Sequence, residues 1–160
     1  MNAVKPVKSV DDLVMAGLVS SADRRALEEV AVRYAIALTP VMTRLIDRAD
    51  PDDPIARQFV PDAAELTVLP EERADPIGDH AHSPVEGIVH RYPDRVLLKA
   101  VHVCPVYCRF CFRREMVGPQ GLGTLDAEAM QAAFDYIRGH EEIWEVILTG
   151  GDPLLSLIHI

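Results

Sequence analysis

Cysteine is absent from this chain except in one stretch, Cys104-Pro-Val-Tyr-Cys108-Arg-Phe-Cys111, which holds all three. Three thiols so close together cannot pair completely, so a disulfide framework is excluded and metal ligation becomes the first explanation. Clustered, unpaired thiols also point to a reducing cytoplasm. Positive charge is scarce: 16 Lys and Arg stand against 25 Asp and Glu, a formal charge of −9. That balance argues against nucleic acid, which needs a basic face, and against a basic amphipathic helix lying on a membrane. No apolar run reaches the ~20 residues that span a bilayer. Asp11 and Asp12 interrupt any signal-peptide order at the N-terminus.

What is present suffices for a compact fold: 160 residues, 49% of them hydrophobic. Residues 1–50 read as a helical region. Ser20 or Ser21 is expected to cap a helix with Asp23 in its first turn. Leu27, Val30, Ala31, Tyr34 and Leu38 form an apolar stripe along it. Pro40 breaks that pattern, and Val41, Leu45 and Ile46 continue on a second short helix. Such a region packs rather than reacts. Residues 51–93 are punctuated by prolines 51, 54, 61, 70, 76, 84 and 93. Asp53-Pro54 caps a single helical turn there, while Ile55, Phe59, Val60, Leu66, Val68 and Leu69 are too apolar for a disordered linker. An ordered wrapping segment is expected.

Residues 94–160 carry the clearest pattern. Arg95-Val-Leu-Leu-Lys-Ala-Val-His102 is a nearly continuous apolar run, the mark of a strand buried on both faces. The cysteine loop follows it, and Gly118, Gly121 and Gly123 mark a further loop. Asp126 caps a helix with Met130, Ala133, Phe134 and Ile137 at helical spacing, ending near Gly139. Glu145-Val-Ile-Leu-Thr149 reads as a second buried strand, closed by Gly150-Gly-Asp-Pro153. The fold class is therefore α/β, with one right-handed βαβ unit of a parallel sheet. The cysteine loop and Gly150-Gly151-Asp152 then lie at the C-terminal ends of neighbouring strands, where such sheets place ligands. A lone βαβ unit leaves strand edges open, and no helix is expected after Leu155. The expectation is a fragment of a longer protein, truncated after the second strand; a partner completing the sheet is the alternative.

Two metals compete for the thiols. Structural zinc wants four protein ligands, commonly two separated pairs. Here His102 would have to serve as the fourth, without a distant second pair. An iron–sulfur cluster on three thiolates leaves one iron open, which suits catalysis better than electron carriage by four-cysteine clusters.

The Cys-x3-Cys-x2-aromatic-Cys spacing resembles the motif of radical S-adenosylmethionine enzymes. Phe110 holds the place of the motif's aromatic residue near the adenosylmethionine, and Gly150-Gly151-Asp152-Pro153-Leu154 resembles the family's glycine-rich motif. The likeness narrows at His90-Arg-Tyr-Pro-Asp-Arg-Val-Leu-Leu98, Cys104–Arg114 and Val117-Gly118, which are similar to the lysine 2,3-aminomutase family. Asp75-Pro-Ile-Gly-Asp79 and Ser83-Pro-Val85 resemble that family's pre-barrel segment. This resemblance implies the start of a partial (β/α) TIM-like barrel behind a helical subdomain. It implies an isomerase moving an amino group from the α to the β carbon of an amino acid, with a [4Fe-4S] cluster, S-adenosylmethionine and pyridoxal 5′-phosphate as cofactors.

By position, the resemblance makes Cys104, Cys108 and Cys111 the cluster ligands, and gives Phe110, Gly150, Gly151 and Asp152 to adenosylmethionine. Arg91 and Arg95 match the arginines on the pyridoxal phosphate group, a pairing suited to a dianion. Arg113 matches the arginine on the substrate carboxylate; Arg114 matches nothing. The lysines, Lys5, Lys8 and Lys99, match no imine-forming position. Free L-lysine is the substrate first implied, with glutamate or a lysine of elongation factor P as alternatives. An external electron donor is implied, and a homo-oligomer is compatible. Two other readings stay open: a radical adenosylmethionine enzyme without pyridoxal phosphate, which leaves Arg91 and Arg95 unexplained, and a zinc-binding or interaction module.

Overall fold

A computed structural model describes residues 5–117 and 123–157. Gly118 and Gly121 of the expected loop lie outside the described residues. The chain divides into two compact units, residues 1–72 with 105–114, and residues 73–104 with 115–160.

The first unit is built from short capped helices: α1 (Val10–Met15), α2 (Arg24–Arg33), α3 (Pro40–Leu45) and α4 (Ala56–Phe59). The Ser9 and Thr39 side chains accept the free backbone N–H groups of Asp12 and Met42, which orders the first turns of α1 and α3. Pro40 opens α3 at the position where a missing N–H costs nothing. Val7, Val10, Leu13, Leu27, Ile36, Leu38 and Ile46 form the core, with Ile55, Phe59 and Val60 packed against it. The start of the proline-rich segment thus packs on this core. Asp53 caps its helical turn by accepting from Ile55 and Ala56, and accepts from Asp47 as well.

Two expectations fail here. Leu38 is not on α2, because the backbone turns extended at Tyr34. Leu38 instead exchanges two 3.0 Å hydrogen bonds with Val7, an antiparallel bridge that satisfies backbone groups a longer helix would have used. Val41 and Leu45 face outward, while Thr43 is buried with its hydroxyl donating to the Thr39 carbonyl.

The second unit holds a three-stranded sheet: β1 (Ile88–Tyr92), β2 (Arg95–Val101) and β3 (Glu145–Gly150), in that spatial order. β2 pairs antiparallel with β1 and parallel with β3, joined to β3 through α5 (Ala127–Arg138). The βαβ unit stands as expected, and Asp126 caps α5 by accepting from Ala129. β1 was hidden inside the proline-rich segment: Pro93-Asp94 turns the chain so that Tyr92 faces Arg95. β2 is buried along most of its length, but the expectation of a second buried strand is wrong. Val146, Ile147 and Leu148 are 39–44% exposed, because no fourth strand stands beside β3 among the described residues. A helical turn, α6 (Leu154–Leu157), follows where none was expected, and the Asp152 carboxylate accepts from the Leu154 N–H at its start.

Leu13→Ala, at a fully buried position, is expected to cost about 2–5 kcal/mol. Val32→Ala, on the outer face of α2, should cost under about 0.5 kcal/mol. Urea unfolding of both variants checks the core assignment.

Candidate functional site

The strand ends come together first. Gly150 closes β3 with φ +109°, and a Cβ there would collide with the Val101 carbonyl. Only glycine adopts that angle at that approach without strain. Gly151 has no room either, because a Cβ would strike the Val103 backbone. The gain is a backbone latch: Gly151 N–H donates to the Val101 carbonyl, and Asp152 N–H donates to the Val103 carbonyl at 2.9 Å. The glycine-rich turn is thereby fastened to the strand extension that runs directly into Cys104.

Cys108, Phe110, Cys111 and Arg113 lie on the Pro105–Arg114 loop, in the first unit. Its backbone is held by Tyr107 N–H on the Ala37 carbonyl (3.1 Å) and Arg109 N–H on the Gln58 carbonyl (2.8 Å). A turn from Cys108 to Cys111 follows, closed by a 3.2 Å backbone bond. Phe110 is 67% exposed, presenting a free aromatic face, and the Arg113 guanidinium lies 4.5 Å from the centre of the Phe112 ring. One residue went unread in the sequence. The Arg109 side chain is buried, forks onto the Glu65 carboxylate at 3.0 and 2.7 Å, and donates to the Ala35 carbonyl at 2.7 Å. Asp62 and Glu65 form a reciprocal capping box, and nothing in the sequence links it to an arginine 44 positions away.

Arg91 on β1 and Arg95 on β2 line one cavity of about 210 Å³, with Asp79 and Tyr92. Both guanidiniums already hold carboxylates. Arg91 donates to the Ile77 carbonyl and to Asp79 at 3.4 Å. Arg95 forks onto Asp94 at 2.9 and 2.8 Å, meets Glu145 at 3.3 Å, and lies over the Trp144 ring. The Arg95 and Trp144 hydrogen bonds keep the Asp94 carboxyl well below its ordinary range.

The donor chemistry of the cysteines fits a metal cluster. None is in a disulfide and all are half-buried. Burial, then the neighbouring Cys111 thiol, pushes the Cys108 thiol above its ordinary value of 9.0. A sheltered thiol whose ionisation burial disfavours suits a soft cation that displaces its proton. Neither a zinc cage nor a three-thiolate site is preformed: among the described residues no three His, Cys, Asp or Glu side chains, the three cysteines included, converge on one point. His102, the proposed fourth zinc ligand, is buried and lines a separate cavity with Lys99 and His80.

Comparison with known proteins gives the class and then the relatives. Residues 93–160 match the family of 4Fe-4S single cluster domains. The chain is 36% identical to the L-lysine 2,3-aminomutase of Clostridium subterminale over 93% of its own length. It is 42% identical to that of Acetoanaerobium sticklandii over 75%, and 35% identical to the glutamate 2,3-aminomutase of Clostridioides difficile over 92%. The likeness to the lysine 2,3-aminomutase family carried by the cysteine motif and its flanks is thereby shown across most of the chain. The chain spans 36%, 29% and 35% of those three relatives' lengths. No helix among the described residues is long and apolar enough to cross a membrane.

Gly151→Ala is expected to destabilise the second unit by about 1–3 kcal/mol through overpacking. Gly139→Ala, where a Cβ meets only ordinary contacts, should be within about 1 kcal/mol of neutral. Thermal unfolding of the two variants side by side reads the difference.

Proposed function

We propose that this chain carries the cluster-binding part of a radical S-adenosylmethionine aminomutase, an isomerase that moves an amino group from the α to the β carbon of an amino acid. The observation that carries the reading is the latch of Gly151 and Asp152 onto Val101 and Val103, at the ends of two parallel strands and directly before Cys104. On this reading the sheet begins a partial (β/α) barrel in residues 94–160, behind a helical region (1–50) and a wrapping segment (51–93).

When bound, the cluster, adenosylmethionine and pyridoxal phosphate would supply reductive bond cleavage, hydrogen abstraction and a π-system for nitrogen migration. The chain's own residues do the holding. Cys104, Cys108 and Cys111 would ligate the cluster through three thiolates. Phe110, with Gly150, Gly151 and Asp152, would cradle adenosylmethionine, the exposed ring offering a stacking face and the glycines a close backbone approach. Arg91 and Arg95 would grip the phosphate, a role supported by their sharing one cavity. Arg113 would pair with the substrate carboxylate. Lysine is the favoured substrate, since most of the named relatives are lysine enzymes. Glutamate is the alternative raised by the relative from Clostridioides difficile, and a lysine of elongation factor P is a third. An external electron donor in the cytoplasm completes the scheme, and assembly of several copies is compatible with it.

Anaerobic reconstitution with iron and sulfide should give a brown species absorbing broadly near ~400 nm, lost in Cys108→Ala. Stoichiometric zinc with no iron uptake would overturn the reading in favour of a zinc module. Arg95→Ala should weaken pyridoxal phosphate binding about tenfold, followed by its absorbance, as expected for loss of a charge-assisted contact. Unchanged binding would point to an adenosylmethionine enzyme that does not use that cofactor here.

A further inference from the structure

We propose that Arg109 is the positioning residue of the cysteine loop: clamped by Glu65, it holds Cys108 and Cys111 in place before a metal arrives. The identity of that metal rests on the function proposed above, but the clamp does not.

Glu65 is fixed independently of the loop. Its Oε1 accepts the Asp62 backbone N–H at 3.1 Å, while the Asp62 side chain accepts from Ala64 at 2.7 Å, a reciprocal capping box on the turn Ala63–Leu66. The carboxylate therefore presents both oxygens in one orientation. Arg109 fills both, through Nε and Nη2, and its third donor reaches the Ala35 carbonyl. The two side chains are 8% and 12% exposed, so the pair is largely out of water. A buried fork of this kind fixes position as well as charge, because a displaced guanidinium would leave a buried carboxylate uncompensated.

Arg109 is flanked by Cys108 on one side and Phe110 and Cys111 on the other. Fixing its Cα and side chain therefore fixes the backbone carrying both thiols. Arg114 adds a weaker second hold: it reaches Glu65 at 3.7 Å and lies 4.1 Å from the Tyr34 ring centre. A loop carrying metal ligands and held in advance loses less freedom when the metal binds.

The test compares native chain, Glu65→Gln, Arg109→Lys, Arg114→Ala and the charge-swapped pair Glu65→Arg with Arg109→Glu, all without metal. Hydrogen exchange at the Tyr107 and Arg109 amides is read first, then iron and sulfide taken up per chain. Glu65→Gln should speed exchange at those two amides about tenfold, leave the α1 and α2 amides unchanged, and lower iron uptake. Arg109→Lys, which cannot fork, should move both readouts in the same direction, and Arg114→Ala less. The charge-swapped pair should recover part of what each single change loses. Unchanged amide exchange in both Glu65→Gln and Arg109→Lys would overturn the clamp. Faster exchange with native iron uptake would overturn its positioning role. Should Glu65→Gln fail to fold, Arg109→Lys alone decides. A native chain that takes up no iron sinks the aminomutase reading, while amide exchange still judges the clamp.

Discussion

The parallel pairing of β2 with β3 is the constraint on which the rest of the second unit depends. A parallel neighbour can be reached only by a crossover, and α5 provides it, packing Ala133 and its flanks against Val96, Leu98 and Ala100. Because both strands run the same way, their C-terminal ends finish together. Arg95 pairs with Glu145 at one end of the ladder and Val101 with Gly150 at the other. The glycine-rich turn can then reach the Val101 and Val103 carbonyls, but only if neither Gly150 nor Gly151 bears a Cβ. One ladder thus dictates where the turn falls, which residue type it needs, and that it lies directly before Cys104.

In the first unit the equivalent constraint is electrostatic. The Pro105–Arg114 loop carries two thiols, three arginines and three aromatics, of which Phe110 and Phe112 are exposed. Hydrophobic packing therefore does little to anchor it, since none of its residues belongs to the unit's core cluster. Backbone bonds to Ala37 and Gln58 and the Arg109–Glu65 fork do so instead. Directional contacts give a loop one position, whereas apolar contacts alone tolerate several.

The sequence was most legible where local rules and tertiary packing agree. The Asp126 cap, the α5 stripe except for the exposed Phe134, and the apolar run of β2 were readable, because each pattern follows from backbone geometry and burial. β1 was not, since a five-residue strand between prolines offers too short a pattern, and its identity depends on a partner two residues beyond its own end. The exposure of β3 was misread for a related reason: an apolar run says that a strand can be buried, and its neighbours decide whether it is. Leu38 was misread because helical spacing continued in sequence after the backbone had left the helix to pair with Val7. At the site, the cysteines and the glycine-rich turn were visible as local motifs. The Glu65 contact was not, because long-range ion pairs leave no periodicity to read.

The arginine cavity adds a last step. In a chain of formal charge −9, two guanidiniums facing one cavity of about 210 Å³ would gain little from repelling each other unbound. Asp79, Asp94 and Glu145 balance them, and the balance is uneven. Asp94 is held by a two-point fork and by the Trp144 indole N–H at 3.1 Å, so it stays ionised and keeps Arg95 aimed. Glu145 meets Arg95 at 3.3 Å, and the buried Asp79 meets Arg91 at 3.4 Å, both longer than the Asp94 fork. On the proposed reading, a phosphate dianion in this cavity would compete with the two longer contacts rather than with the fork. Arg95 would keep its orientation through that exchange, because the Asp94 fork that aims it lies outside the contacts being replaced.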